Sequence, residues 1–243
     1  MKQAVIFILS VICMASVARQ IKSASAARKA ISAIDCERDE IPYVTSGLIA
    51  MWDGEWNAGI GQHDSDAIIW KDLVGDFDLV IYGSVFHNFI RNSNTSAAEA
   101  TGTIEGIGTI EVCYRYSGSK NSSYGLLFYS GPINATRLGL VLYLDGFQTF
   151  SNVYWKYSDV RSHSLMTISA TKELCYVDGT PLDPISRATD QWNNYGHVGI
   201  GGRAWQNTWQ TYGDWHCIRI YNRTLSEEEI AFNSSIDKER FGP

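Results

Sequence analysis

The run Tyr212-Gly213-Asp214-Trp215-His216-Cys217-Ile218-Arg219-Ile220-Tyr221-Asn222-Arg223-Thr224-Leu225-Ser226-Glu227-Glu228-Glu229-Ile230 decides the fold. Its first half alternates as a strand does. Strict alternation sends Trp215, Cys217, Arg219 and Tyr221 to one side and His216, Ile218 and Ile220 to the other. Its second half is the start of a helix. Ser226 followed three residues later by Glu229 is a capping box, in which each side chain accepts from the other's backbone N–H, and Leu225 and Ile230 are spaced as a hydrophobic staple across it. A strand that passes straight into a short helix near the chain's end is a closing segment, so the pattern upstream decides what it closes.

Upstream, from Gly47, short alternating segments are separated by clusters of Gly, Asn, Asp and Ser, the mark of a β-sandwich or jelly roll. The predicted strands are Leu48–Asp53, Leu79–Tyr82, Gly108–Ser117, Ser123–Ser130, Leu138–Leu144, Phe147–Ser151, Ser164–Ala170, Glu173–Val177, His197–Ile200 and Gly213–Tyr221. Asp145-Gly146 and Asp178-Gly179 are hairpin signals, since glycine accepts the positive φ of tight turns. No stretch between Gly47 and Leu225 sustains a helical period, so the fold class is all-β.

The same segments carry a family resemblance. Gly213 through Ile230, with Ile218-Arg219-Ile220-Tyr221-Asn222-Arg223 and Leu225-Ser226 inside it, resembles the closing segment of the concanavalin A-like lectin/glucanase superfamily, in its laminin G-like (LamG, pentraxin-related) branch. Gly47-Leu48-Ile49-Ala50-Met51-Trp52-Asp53-Gly54 resembles its opening strand, Trp70-Lys71-Asp72-Leu73-Val74-Gly75 its Trp-x-Asp-x-x-Gly corner, and Cys175-Tyr176-Val177-Asp178-Gly179-Thr180 its late hairpin. The resemblance implies a jelly-roll β-sandwich of two antiparallel sheets with a short C-terminal helix. It says little of function, because this fold hosts lectins, glycosidases, adhesion modules and spacers alike.

Before that domain, which is expected over 46–243, the chain reads as an export signal over 1–18. Lys2 supplies the positive end, Ala4 to Ala18 the apolar stretch, and Ser16-Val17-Ala18 a small-residue cleavage site. About fifteen apolar residues are short of the roughly 20 that span a bilayer, so membrane contact is expected only if this segment is retained. Residues 19–45 read as a linker or short helix, ended by Pro42. The expected location is secreted or at the cell surface. A net charge of -6 without a basic cluster argues against nucleic acid. Once Cys13 leaves with the signal, Cys36, Cys113, Cys175 and Cys217 permit two disulfides in three connectivities, or remain buried thiols.

Catalytic chemistry is poorly represented. The glycosidases that the resemblance brings in place acids at alternate positions of one strand, and retaining chemistry needs carboxyls about 5–5.5 Å apart. Here Asp64/Asp66 and Asp76/Asp78 lie in loop-like surroundings, Glu111 has Cys113 and Arg115 on its strand face, and Glu227–Glu229 belong to the helix start. The histidines are scattered, no Gly-x-Ser-x-Gly elbow occurs, and no enzyme is expected. The resemblance also brings in calcium, but where many relatives have an acid in the closing strand this chain has His216, with Asp214 two positions earlier. Asp53, Asp64 and Asp66 are further oxygen donors. No cofactor is expected, with calcium the one possibility.

Recognition chemistry is better represented. Aromatic residues make up 12% of the chain, with eight Trp and thirteen Tyr. Trp52, Trp70 and Trp215 fall in strand or corner patterns and read as core. Trp56-Asn57, Trp192 and Trp205-Gln206-Asn207-Thr208-Trp209 fall in loops, where ring faces stand beside amides, the pairing that stacks on a sugar and bonds its hydroxyls. Trp205, Gln206, Asn207, Trp209, Trp56, Asn57 and Trp192 are the expected ligand contacts, and a glycan or a cell-surface protein the expected partner. The alternatives are a structural or adhesion module of a surface or virion assembly, or a divergent glycoside hydrolase. Asn-x-Ser/Thr sequons stand at Asn94, Asn121, Asn134, Asn222 and Asn233.

Overall fold

The computed structural model describes residues 41–82, 85–86, 90–92, 98–119, 124–131, 138–143, 145–149, 153–162, 164–186, 197–202 and 210–243. The chain divides into two compact units, Met1–Thr45 and Ser46–Pro243, and every element named below lies in the second. The export segment expected over 1–18 lies outside the described residues, among which no helix is long and apolar enough to cross a membrane.

Two antiparallel sheets form the sandwich. The eight-stranded sheet contains β1 (Leu48–Asp53), β4 (Val85–Phe86), β5 (Ile90–Asn92), β7 (Thr109–Ser119), β12 (Leu165–Thr171), β13 (Cys175–Val177), β14 (Thr180–Pro181) and β17 (Thr211–Tyr221), in the order β14-β13-β12-β7-β17-β5-β4 with β1 also paired to β17. The nine-stranded sheet contains β2 (Ile69–Trp70), β3 (Leu79–Ile81), β6 (Ala98–Thr103), β8 (Tyr124–Gly131), β9 (Leu138–Tyr143), β10 (Gly146–Thr149), β11 (Val153–Lys156), β15 (Pro184–Ser186) and β16 (His197–Ile200), in the order β15-β11-β10-β9-β8-β16-β6-β3-β2. The helix α1 (Glu227–Phe241) follows β17. The all-β sandwich expected from the alternating pattern is the fold found.

β17 organises the first sheet. It pairs with β7 along its whole length, while its other edge meets β5 at Gly213–Trp215 and β1 at Cys217–Tyr221. At the changeover the register slips. Trp215 stands opposite Tyr114 and Cys217 opposite Cys113, so His216 is an extra residue, a bulge whose carbonyl accepts from Gly54 N at 2.8 Å. The bulge corrects the strict alternation. Trp215 turns into the sandwich core with Ile218 and Ile220, its ring 4.7 Å from that of Tyr114, whereas Arg219 bonds residues on the opposite side of the strand. One inserted residue puts Trp215 on the other face.

On that opposite side lies a buried polar layer under α1. Arg219 is fully buried and donates through Nε to Glu111 Oε2 (2.9 Å) and through Nη1 and Nη2 to Asp237 (2.8 and 2.7 Å). Ser169 donates to Glu111 Oε1 and Thr167 to Asp237 Oδ2, while the Asn233 amide donates to Glu111 and to the Tyr221 hydroxyl. Each oxygen of the two carboxylates thus has a donor, as buried charges require. Burial pushes the Glu111 carboxyl up despite Arg219; burial pulls the Arg219 guanidinium down, but Asp237 above all, with Cys217 and Glu111, more than offsets it and holds it well above its ordinary range. The second acid beside Glu111 comes from the helix, not from its own strand. The capping box forms as read, with Ser226 Oγ accepting from Glu229 N at 3.3 Å and Glu229 Oε2 from Ser226 N at 2.9 Å. Leu225 and Ile230 are both buried beside it.

The smaller motifs have equally plain causes. In the Trp70–Gly75 corner, Asp72 accepts from the backbone of Met51, Val74 and Phe77 and so ties the corner to β1. Gly75 is needed because a Cβ there would come within 2.9 Å of both Asp72 Oδ2 and the Ile49 carbonyl. Asp178 (φ 54°) and Gly179 (φ 78°) make the two-residue turn that joins β13 to β14. Trp52 and Trp70 are fully buried, as expected, each donating its indole N–H to a backbone carbonyl. Cys113, Cys175 and Cys217 are buried free thiols, and Cys36 lies outside the described residues.

The buried layer predicts an asymmetry between two arginines. Arg219→Met removes the partner of two buried acids and is expected to lower the unfolding free energy by about 3–5 kcal/mol. Arg223→Met breaks only a partly exposed pair with Glu229, and its expected cost is within about 1 kcal/mol. Urea denaturation of the two variants checks this; equal losses would contradict it.

Candidate functional site

The register of the nine-stranded sheet shows what its outward face carries. The residues that fill the core from this sheet are Trp70, Leu79, Ala98, Ala100, Leu127, Phe128, Leu140, Leu142, Phe147, Trp155, Val198 and Ile200. The intervening residues face away. Across the ladder they form two rows, Ile69–Val80–Glu99–Gly199–Tyr129–Gly139 and Leu126–Val141–Gln148–Tyr154. The rows are offset at β8, where a register shift between Leu126 and Phe128 sends both Leu127 and Phe128 inward. Leu126, Tyr129 and Val141 make a small apolar cluster on this outward face, with Tyr143 packed against it.

Around that floor stand polar aromatics. The Tyr143 and Tyr154 rings meet edge to face with centroids 5.6 Å apart. Tyr143 donates its hydroxyl to Gln148 Oε1 at 2.7 Å, and Tyr154 donates to Asp145 Oδ1 at 2.5 Å. Partial burial, reinforced by that carboxylate, pushes the Tyr154 hydroxyl up to about 12, so it stays a neutral donor at physiological pH. Tyr143, Gln148 and Tyr154 are half-buried and Asp145 is exposed. Beside them Tyr129 donates to Glu99 Oε1 at 2.5 Å and packs against Gly199, where a Cβ would meet its ring at 2.3 Å. Leu126, Tyr129 and Val141 are buried, so the accessible groups are Tyr143, Gln148, Tyr154 and Asp145; two rings, an amide and a carboxylate suit a polyhydroxylated ligand: rings for the apolar C–H face, amide and acid for hydroxyls.

The sequence-predicted contacts fall in two groups. Trp192, Trp205, Gln206, Asn207 and Trp209 lie outside the described residues. The residues on either side of 203–209 are described, and they contact β8. Thr211 N donates to the Gly201 carbonyl, Gly201 N donates to the Leu127 carbonyl, and a Cβ on Gly125 would meet Thr211 Oγ1. Gln210, at the segment's return, is buried with Oε1 unbonded.

Trp56 and Asn57 are described, and both are occupied in holding the loop after β1. Asn57 is fully buried; its amide donates to the Asp64 carbonyl at 2.6 Å and accepts from Asp64 N at 2.8 Å. Trp56 lies under the Arg240 guanidinium, 4.6 Å from the ring centre. Arg240 in turn reaches Asp53 and Glu55 and so ties the end of α1 to this loop. These two residues follow β1 of the eight-stranded sheet and do not join the Tyr143–Gln148–Tyr154 cluster.

The residues weighed for calcium do not fit a common ion. Asp53 is engaged by Arg240, and its carboxyl is raised by burial. Asp64 Oδ1 accepts from Asp66 N. Among the described residues no group of three or more His, Cys, Asp or Glu side chains is placed to hold a metal.

No protein-family model and no curated protein matches the chain. Solved structures do. A Trypanosoma rangeli sialidase in complex with the inhibitor DANA superposes with a TM-score of 0.58 at 15% identity, covering 89% of this chain and 38% of the sialidase. Another structure of T. rangeli sialidase gives 0.54 at 17% identity, covering 78% and 33%. This chain is thus similar in fold to part of a sialidase and spans little more than a third of its length. A Ruminococcus gnavus IT-sialidase CBM40 overlaps at a TM-score of 0.39 and 15% identity, covering 59% of this chain and 97% of that one, too low for a fold argument. The sialidase superpositions agree with a β-sandwich of the broad jelly-roll class.

The outward face predicts a local test of its geometry. Gly199→Ala is expected to displace the Tyr129 ring and break its bond to Glu99, while leaving the core strands in place. A crystal structure or tyrosine hydroxyl NMR of the variant checks this; an unmoved Tyr129 would contradict it.

Proposed function

We propose that this chain is an exported, non-enzymatic carbohydrate-recognition module of the laminin G-like branch. The observation that carries the reading is the Tyr143–Gln148–Tyr154–Asp145 cluster on the outward face of the nine-stranded sheet. Its phenols, amide and carboxylate are held by one another over an apolar floor, so little order need be imposed when a ligand binds. The Trp205-Gln206-Asn207-Thr208-Trp209 stretch, outside the described residues, is the other source of rings and amides in the sequence.

The described acids support recognition without hydrolysis. Glu111 and Asp237 are buried against Arg219, Asp53 is held by Arg240, Glu99 and Asp145 each accept from a tyrosine, and Asp72 accepts backbone N–H groups. Hydrolysis needs one carboxyl as acid and a second as nucleophile or base across a cleft. The acids just named are instead taken up by the partners given for them. The adhesion reading draws on a different observation: Ile68 (74% exposed), Ile69 (38%) and Tyr82 (43%) lie at the free edge marked by β2, where a protein partner would find apolar surface.

A glycan array probed with the full chain, with and without chelator, separates these readings. Binding to a defined glycan class is expected, insensitive to chelator. Tyr143→Ala, Gln148→Ala and the double variant Trp205→Ala/Trp209→Ala are each expected to weaken it by roughly tenfold or more, the worth of one stacking ring or one good hydrogen bond. Absence of binding to any glycan, or binding untouched by all three changes, overturns the reading.

A further inference from the structure

Two of the five sequons fall on described residues, and the fold treats them in opposite ways. Asn233, in Asn233-Ser234-Ser235, is fully buried. Its amide nitrogen donates to Glu111 Oε2 at 2.7 Å and to the Tyr221 hydroxyl at 2.9 Å. A sugar on that nitrogen would break into the layer that seats α1.

Asn222, in Asn222-Arg223-Thr224, stands in the turn between β17 and the helix cap, and both Asn222 and Thr224 are exposed. The turn keeps its shape through other groups. Asn222 N donates to the Gly47 carbonyl at 2.8 Å, and Arg223 folds back to donate to the Ser46 carbonyl and to both carboxylate oxygens of Glu229. Gly47 gives the Asn222 amide room, since a Cβ there would come within 2.9 Å of Asn222 Oδ1. The sequon thus offers its amide and hydroxyl outward, with the fold depending on neither.

We propose that Asn222 is an acceptor for an N-linked glycan and that Asn233 is excluded from that role. The donor class is an oligosaccharide on a lipid pyrophosphate. Asn222 Nδ2 attacks the anomeric carbon and a C–N bond forms. The bond from that carbon to the pyrophosphate oxygen breaks, the lipid pyrophosphate leaves with the electron pair, and the amide proton passes to a base of the transferring enzyme. The proposal rests on export, which the N-terminal segment leads one to expect, and not on the glycan-binding reading. The added sugar would not obstruct the outward face. Asn222 follows β17 of the eight-stranded sheet, whereas the outward face belongs to the nine-stranded one.

The test is secretion of the full chain behind a standard leader from mammalian cells, with site occupancy read by mass spectrometry of glycosidase-treated peptides. Expected are a glycan on Asn222 in most secreted molecules and none on Asn233. Asn222→Gln should remove one glycan while leaving the secreted yield and melting temperature unchanged. Secreted protein bare at Asn222, or carrying sugar on Asn233, would overturn the proposal.

Discussion

A single buried guanidinium holds the two ends of this fold's closing segment together. Arg219 sits in the central strand of one sheet, and its partners arrive from the neighbouring strand (Glu111) and from the helix (Asp237). Placing one positive charge between two acids in the interior is costly unless every hydrogen-bonding position is filled. Ser169, Thr167 and Asn233 fill the remaining ones. The arrangement demands one register between β7 and β17 and one seating of the helix, so it selects a single structure more than it adds stability.

The parts of the fold legible in the sequence were those with strong local causes. The capping box of Ser226 and Glu229, the Asp178-Gly179 turn and the alternating core strands each needed only neighbours in sequence. The bulge at His216 was not legible, because the slip answers to the partners on either edge of β17: β7 along its length, and β5 giving way to β1 on the other side. It moved Trp215 into the core and left Arg219 and Tyr221 toward the helix. β6 and β11 were also missed. Ala98, Glu99 and Ala100 have weak strand preferences and gain their place from pairing with β3 and β16, while β11 is only four residues long.

The candidate site was legible in part. Looking for tryptophan in loops led to Trp56 and Asn57, which the structure uses to brace the loop after β1, and to 203–209, which lies outside the described residues. The Tyr143–Gln148–Tyr154 cluster had a signal that went unused. Each residue alternates with a core neighbour, Tyr143 after Leu142, Gln148 after Phe147 and Tyr154 before Trp155, around the recognised Asp145-Gly146 hairpin. What the sequence could not supply is the order of the strands, which brings them side by side.

Glu111, Asp237, Asp53, Asp72, Glu99 and Asp145 are each engaged by other groups of the fold. The central claim is that ligand meets the outward face of the nine-stranded sheet. Its most direct test is NMR shift mapping of the full chain during titration with a soluble glycan chosen by array. The account predicts that the shifted amides cluster at Glu99, Tyr129, Tyr143, Gln148 and Tyr154. Shifts centred instead on Trp56 and Arg240, or on the edge at Ile68 and Ile69, would contradict it.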